Sequence, residues 1–485
     1  MNTTFSLTRG VRRAAWLPLL AALVLAGCAA PPKAELDLEL PLRYHERAEA
    51  PDAARAATKT AAVPAVSDAA WWHVFGDPAL DDLVARAAAR NTSIQQAAAR
   101  LAEARALARS VDADRSVQVG LGASGARGAG VDKAQGNRPA SLFSAGLGAS
   151  YEVDLFGRLA GASNAAALDA QSREALLRSA QVLVQSEVAQ TYLALRALDA
   201  ERAIMQDTVG AYRATLDLTQ RRYRAGDLAE LDVARARTEL AATEAEALAV
   251  DRQRATVEHA LAVLVGEVAS GFSVPAQAWT TALPAIPAGM PSTMLQRRPD
   301  VIAAQKSVQA AQARVGVAQT AWFPTFSLTG AGGYASTDLG DLLQWSARSW
   351  GVGALLSLPL IDGGRREAGV QGANARFDGA MASYREQVLL AFKEVEDQLA
   401  SLRLLDAQAE VQAQAVAAAQ RATVLSESRY RNGVVSQIEL LDARRSELRN
   451  RRVALGVKAA QYQATVALVR ALGGGWGDAV AVSSR

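Results

Sequence analysis

Two hydrophobic periods alternate along this chain, and the alternation runs through twice. A helical pattern opens at Asp77, placed to cap it, with Pro78 at its first position, and continues to about Asp114. Period two follows. In SLFSAGLGASYEVDLF, residues Phe143, Ala145, Leu147, Ala149, Tyr151, Val153 and Leu155 are apolar. The intervening positions, after Leu142, are Ser144, Gly146, Gly148, Ser150, Glu152 and Asp154. One oily and one wet face predict a strand, and RSVQVGLGASG (residues 115–125) is a weaker partner across a turn-rich loop. A helical region without proline then runs from about 160 to 265, interrupted around Gly226. The second pass has a helix in 290–321 and strands in WFPTFSLTGAGGYA (322–335) and WGVGALLSLPLID (350–362). In the last strand Trp350, Val352, Ala354, Leu356, Leu358 and Leu360 share a face. A proline-free helical region follows Pro359, interrupted around Gly433.

The two passes are copies. RRYRAGDLAELDVARARTEL (221–240) returns as SRYRNGVVSQIELLDARRSEL (428–448). Tyr223 matches Tyr430, Gly226 matches Gly433 and Ser93 matches Asp300, each 207 positions apart. Glu239 matches Glu447 at 208, which predicts one inserted residue in the second copy. So long a period marks a duplicated half-chain rather than a solenoid. Each helical limb is expected to hold roughly 40–60 residues, on the order of 60–90 Å at the helical rise. Stripes of Ala, Leu and Val that long need neighbouring helices. Each RYRxG phrase is predicted to be the turn between two long antiparallel helices, with Gly226 and Gly433 allowing the tight bend.

Four amphipathic strands leave two bare edges, untenable in lipid, and membrane barrels begin at about eight strands. Association is therefore required: two chains would supply eight strands and three would supply twelve. Strands of about ten residues suit a tilted outer-membrane strand. Tyr151, Trp322, Tyr334 and Trp350 near strand ends suit membrane interfaces. The competing reading is a small soluble sheet packed on helices.

Composition narrows the choice. The 485 residues are 50% hydrophobic but only 5% aromatic, which favours long close-packed helices over an enzyme core. Arg9, Arg12 and Arg13 precede an apolar run, Ala14 to Ala26, too short for a comfortable span, as in a secretion signal. The run ends in Leu25-Ala26-Gly27-Cys28, which resembles a bacterial lipobox, in which the cysteine becomes the acylated first residue. By the same resemblance, Ala29 points to the outer rather than the inner membrane. Cys28 is the only cysteine, so no intrachain disulfide forms and Cys-based metal sites are disfavoured. The net charge of +3 resides in the signal, so the basic balance argues for no nucleic-acid partner. His45, His73 and His259 lie far apart, and GLGASG at 120–125 fits a strand better than a phosphate loop. No enzyme is expected, and no cofactor beyond the covalent lipid on Cys28. A structural coiled-coil lipoprotein is disfavoured by the amphipathic strands. The expected division is a signal over 1–27, a lipidated arm over 28–70, repeats over 71–270 and 271–470, and a tail over 471–485.

Several motifs occur in a specific order. They are Trp71-Trp72-His73-Val74-Phe75-Gly76-Asp77-Pro78, Arg297-Arg298-Pro299-Asp300, Leu358-Pro359-Leu360-Ile361-Asp362-Gly363-Gly364-Arg365 and the paired RYRxG turns. With the lipobox they resemble the TolC/OprM class of outer-membrane efflux proteins, in its NodT-like lipoprotein branch. The resemblance implies a mainly α fold with a β-barrel. Three chains, four strands each, form a twelve-stranded outer-membrane barrel continued by a long periplasmic α-helical barrel. It implies a passive exit duct for drugs or other small solutes, lipid-anchored in the outer membrane. The partners would be a periplasmic adaptor and an inner-membrane transporter of the RND type. The runner-up is the exit channel of a type I protein secretion system. The resemblance also implies a periplasmic gate at the turns, with Tyr430, Glu439, Asp442 and Asp232 at matching places. A gate arginine of some relatives falls at Val435 here, and Arg431 or Arg429 would have to substitute. Tyr223, Gly226 and Gly433 would lie where an adaptor docks. The plainer reading of Glu439 and Asp442 is solvated charge near a helix end.

Overall fold

The computed structural model describes residues 43–46, 70–129, 139–284, 286 and 296–474. The signal, Cys28, Ala29 and most of the arm and tail lie outside the described residues. Four strands and seven long helices follow the predicted order among them: α1 (Pro78–Arg90), α2 (Thr92–Ala113), β1 (Gln118–Gly128), β2 (Ala140–Val153), α3 (Arg158–Arg224), α4 (Glu230–Val265), α5 (Pro299–Gln319), β3 (Thr325–Ser336), β4 (Arg348–Ser357), α6 (Arg365–Arg431) and α7 (Gln437–Ala471).

The single helix expected from Asp77 to Asp114 is two. Asp77 does cap α1, accepting from the Ala79 N–H at 3.0 Å. Asn91 then leaves the helical region, and its Oδ1 accepts from the N–H groups of Ser93 (2.9 Å) and Ile94 (3.3 Å) at the start of α2. An asparagine inside a helix competes with the backbone, and here it restarts the helix instead. Its Nδ2 also donates to the Leu264 carbonyl, 2.8 Å away, at the end of α4. In the second copy the equivalent Arg298, also buried, donates to the Ala471 carbonyl at 3.1 Å, at the end of α7. Different side chains thus satisfy the same otherwise unpaired helix-end carbonyl in each half. Arg298 further pairs with Asp300 (2.6 Å) and Glu394 (2.7 Å), which accounts for the RRPD motif. Burial works against the Arg298 charge, but the two carboxylates prevail and its pKa is raised.

The duplication is exact in length. Helices α3 and α6 each hold 67 residues, longer than expected and on the order of 100 Å each. Helices α4 and α7 hold 36 and 35 residues, shorter than expected. Gly226 to Gly266 and Gly433 to Gly473 span equal numbers of residues, and all four glycines are left-handed. No residue is inserted, so the Glu239–Glu447 match is a correction: Ser446 is the true counterpart of Glu239. The packed chain also runs past 470, with Leu472 buried.

Two compact units form. Among the described residues, the first takes 114–129, 139–165 and 308–378, and the second 43–46, 70–113, 166–284, 286, 296–307 and 379–474. In the first unit β1 to β4 form one antiparallel sheet in sequence order. Opposed residues in such a sheet share a face. The register therefore gathers Leu121, Leu147 and Trp350 on one face, with Val119, Val352, Phe326, Leu328 and Leu356. The other face carries Ser124, Ser144, Ser150, Glu152, Ser327 and Thr329 among glycines, with Leu142 and Leu355 as apolar exceptions. At Gly333 a Cβ would lie 2.3 Å from the Ala145 carbonyl oxygen, so β2 and β3 approach there as only hydrogen allows. Strand β4 ends at Ser357, so Leu358 and Leu360 lie beyond it, the run stopping short of Pro359, which has no N–H to donate.

The core of the second unit gathers Trp71, Phe75, Leu80, Val188, Tyr192, Val265 and Tyr462, all buried. The WWxxF motif is thus a packing plug. Tyr192 donates to Asp77 at 2.7 Å, fixing the α1 cap to α3. Part of the expected arm is held on α6: the His45 and Glu46 N–H groups donate to the Glu396 carboxylate at 2.7 and 3.0 Å. Tyr44 beside them is buried.

Candidate gate at the paired helical turns

Both turns obey one hydrogen-bonding rule. After α3, Gly226 N–H donates to the Tyr223 carbonyl (3.0 Å) and Asp227 N–H to the Arg222 carbonyl (2.9 Å). After α6, Gly433 N–H donates to Tyr430 (3.0 Å) and Val434 N–H to Arg429 (2.9 Å). This is the Schellman ending, which needs a left-handed residue after the cap. Gly226 (φ 84°) and Gly433 (φ 73°) supply it. Another residue there would cost roughly 1–2 kcal/mol.

The two tyrosines at equivalent places differ. Tyr223 is 43% exposed, whereas Tyr430 is 2% exposed. The Tyr430 hydroxyl lies 3.3 Å from the Thr219 hydroxyl of α3. The Arg222 guanidinium sits 5.4 Å from the Tyr430 ring centre and donates to the Tyr430 carbonyl at 3.4 Å. Gln437, at the start of α7, donates to the Thr219 hydroxyl at 3.2 Å. Thr219 and Gln437 are buried, and the Gln437 Oε1 has no hydrogen-bond partner among the described residues. The second turn is thus latched to the end of α3 in the same chain. Sequence reasoning missed Thr219, Arg222 and Gln437. One signal existed: the first-copy counterpart of Gln437 is Glu230, and a neutral amide in place of a charge is what a buried site requires.

The charged residues around the latch divide. Arg431 pairs with Glu427 one helical turn back, an exposed contact. Arg444 approaches the same Glu427 at 3.6 Å and donates to the Ala211 carbonyl at 2.6 Å, tying α7 to α3. Arg445 joins Glu239 of α4 to α7 and reaches Asp442 at 3.4 Å. The Arg445 hydrogen bonds hold Glu239 below the usual carboxylate range, and Glu239 raises Arg445. Burial pushes Tyr212 beside them up to about 12. Asp442 is well exposed, and Asp232 is 4.0 Å from Arg235. Glu439 is exposed and makes no ion pair among the described residues. No group of three His, Cys, Asp or Glu among the described residues of one chain could hold a metal ion, so Asp232, Glu439 and Asp442 make no such site within it. Val435 is half-buried and leaves no cation at its place.

The architecture has known counterparts. The family model described as outer membrane efflux protein matches residues 83–267 and again 290–474. The probable efflux pump outer membrane protein TtgC of Pseudomonas putida is 32% identical over 417 residues, 85% of this chain and 86% of its own length. The outer membrane protein OprJ of Pseudomonas aeruginosa is 32% identical over 468 residues, 95% of each chain. The cation efflux system protein CusC of Escherichia coli is 31% identical over 415 residues, 84% of this chain and 89% of its own. Among solved structures, the outer-membrane channel OprN superposes with a TM-score of 0.84 at 30% identity, covering 93% of this chain and 100% of that one. A CusC channel structure gives a TM-score of 0.80 at 28% identity, covering 92% and 99%. The chain is an outer-membrane protein. By its repeats, its sheet and its match along most of its length, this chain belongs to the outer membrane efflux protein family.

Proposed function

We propose that the chain is the outer-membrane exit duct of a tripartite efflux pump, and that three copies form it. The carrying observation is the four-stranded sheet, apolar on one face and polar or small on the other, with β1 and β4 as open edges. A bare edge in lipid costs several kcal/mol per unpaired group, so β4 of one chain pairs with β1 of the next. Three copies give a twelve-stranded barrel whose polar face lines the lumen. The relatives' names support efflux over type I secretion as the use of this fold: an efflux pump for TtgC and cation efflux for CusC.

The turns then form the closed end. The Tyr430–Thr219–Gln437 contacts and Arg222 hold the α6–α7 hairpin against α3, and opening requires the hairpin to leave α3. Asp232, Glu439 and Asp442 of three chains would face a common axis and favour cations in the closed pore. A periplasmic adaptor would dock around Tyr223, Gly226 and Gly433, and an inner-membrane transporter of the RND type would supply the energy and select the solute. Cys28 would carry the lipid anchor. The experiment is complementation. In a host lacking its own exit duct, the gene expressed with a compatible adaptor and pump should restore resistance. Restored secretion of a protein substrate without restored resistance would overturn efflux in favour of the secretion reading.

A further inference from the structure

The loop joining β3 to β4 carries chemistry that the duct does not use. Leu339, Leu343 and Trp345 are exposed in it, Trp345 at 74%. Arg348 opens β4, directly opposite Tyr334 in the register, and Trp350 follows two residues on. Tyr334, Arg348 and Trp350 therefore lie on the apolar face, at its hairpin edge. The Arg348 guanidinium lies 4.6 Å from the centre of the Trp345 ring, which brings the loop tryptophan to that same edge. The loop's own acids are occupied: Asp338 accepts from the Gly340 N–H at 3.0 Å and Asp341 from Gln344 at 2.6 Å. Arg348 has no carboxylate partner among the described residues.

A cation on a lipid-facing surface is tolerated at the edge of the apolar band and not at its middle. An arginine there, backed by one tryptophan and flanked by a tyrosine and another tryptophan, presents a planar fork with no carboxylate partner among the described residues of its own chain. Guanidinium forks match phosphate oxygens bidentately, and aromatic rings favour the headgroup level. We propose that Arg348, with Trp345, Tyr334 and Trp350, binds the phosphate of an anionic lipid headgroup at the outer edge of the barrel. The apolar face supplies the acyl contacts, since the site is continuous with the lipid-facing surface of β4.

Native mass spectrometry of the assembled protein tests this with a bisphosphorylated lipid A and its dephosphorylated form, the acyl chains being identical. The wild type should retain the phosphorylated lipid at about tenfold lower lipid concentration than Arg348→Gln, a difference of about 1.4 kcal/mol. The dephosphorylated lipid should bind both proteins equally. Trp345→Ala should weaken retention several-fold, and Arg348→Lys should keep part of it. Millimolar inorganic phosphate should not displace the lipid. Equal retention by wild type and Arg348→Gln would overturn the proposal. So would displacement by inorganic phosphate, which would make this a free-anion site.

Discussion

Removing the latch at the second turn should open the duct, and the structure sets the size of the effect. The perturbation is Tyr430→Phe with Arg222→Ala. The first removes one hydroxyl contact of 3.3 Å, about 0.5–1.5 kcal/mol for a typical hydrogen bond. The second removes a guanidinium 5.4 Å from the ring centre, about 0.5–1 kcal/mol; its 3.4 Å contact to the Tyr430 carbonyl is too long to add to this, and that carbonyl keeps the Gly433 N–H. Together they make about 1–2.5 kcal/mol per chain, or about 5- to 70-fold in the closed-to-open ratio. Thr219 keeps its bond from Gln437 in the variant, so the buried hydroxyl is not orphaned and the loss stays within that range. Arg431→Ser is the control. Its pair with Glu427 is exposed and one turn apart, about 0.3–0.5 kcal/mol, hence about twofold at most. Single-channel recording in planar bilayers reads the open fraction directly. Wild-type open fraction in the double variant, or equal opening by Arg431→Ser alone, would refute the latch.

Other consequences are checked separately. Mass spectrometry of membrane-purified protein should find lipid on Cys28 as the mature N-terminus, and intact Met1 in that fraction would contradict anchoring. Leu147→Arg should reduce insertion by about 2–4 kcal/mol if the site is mid-bilayer, while Arg at Gly148 on the opposite face should cost less. Equal effects in a membrane-folding titration would mean that the faces are misassigned. The Arg445 clasp keeps the Glu239 pKa below its ordinary 4.5, so its stabilisation is present above that value and is lost as pH falls through the depressed one. The melting-temperature gap between wild type and Glu239→Gln should therefore be constant near neutrality and shrink below about pH 4.5.

Much of this fold is legible in the sequence because period, punctuation and duplication agree. The alternation from Phe143 to Val153 survives as the apolar face of β2, since a slip of one residue would turn that set to the other side. The RYRxG phrases place both turns because a Schellman ending needs its glycine one residue past the cap. The break at Asn91 was hidden because apolar spacing continues across it, and the capping role depends on a distant carbonyl at Leu264. The Glu239–Glu447 match misled because chemical identity is not register. Glu239 is defined by Arg445 across the helix pair, while Glu447 faces Arg451 on its own helix. The latch was half visible. Tyr430 and Tyr223 are identical in the repeat, and it is the tertiary contact with the end of α3, at Thr219 and Arg222, that sets the buried one apart.

The account's central claim is that open sheet edges make three chains one channel. Light scattering of the detergent-solubilised protein, with the detergent mass subtracted, measures this most directly. A stable particle of three chains is predicted, and it should conduct when reconstituted in a planar bilayer. A stable, folded particle of one or two chains would contradict the account.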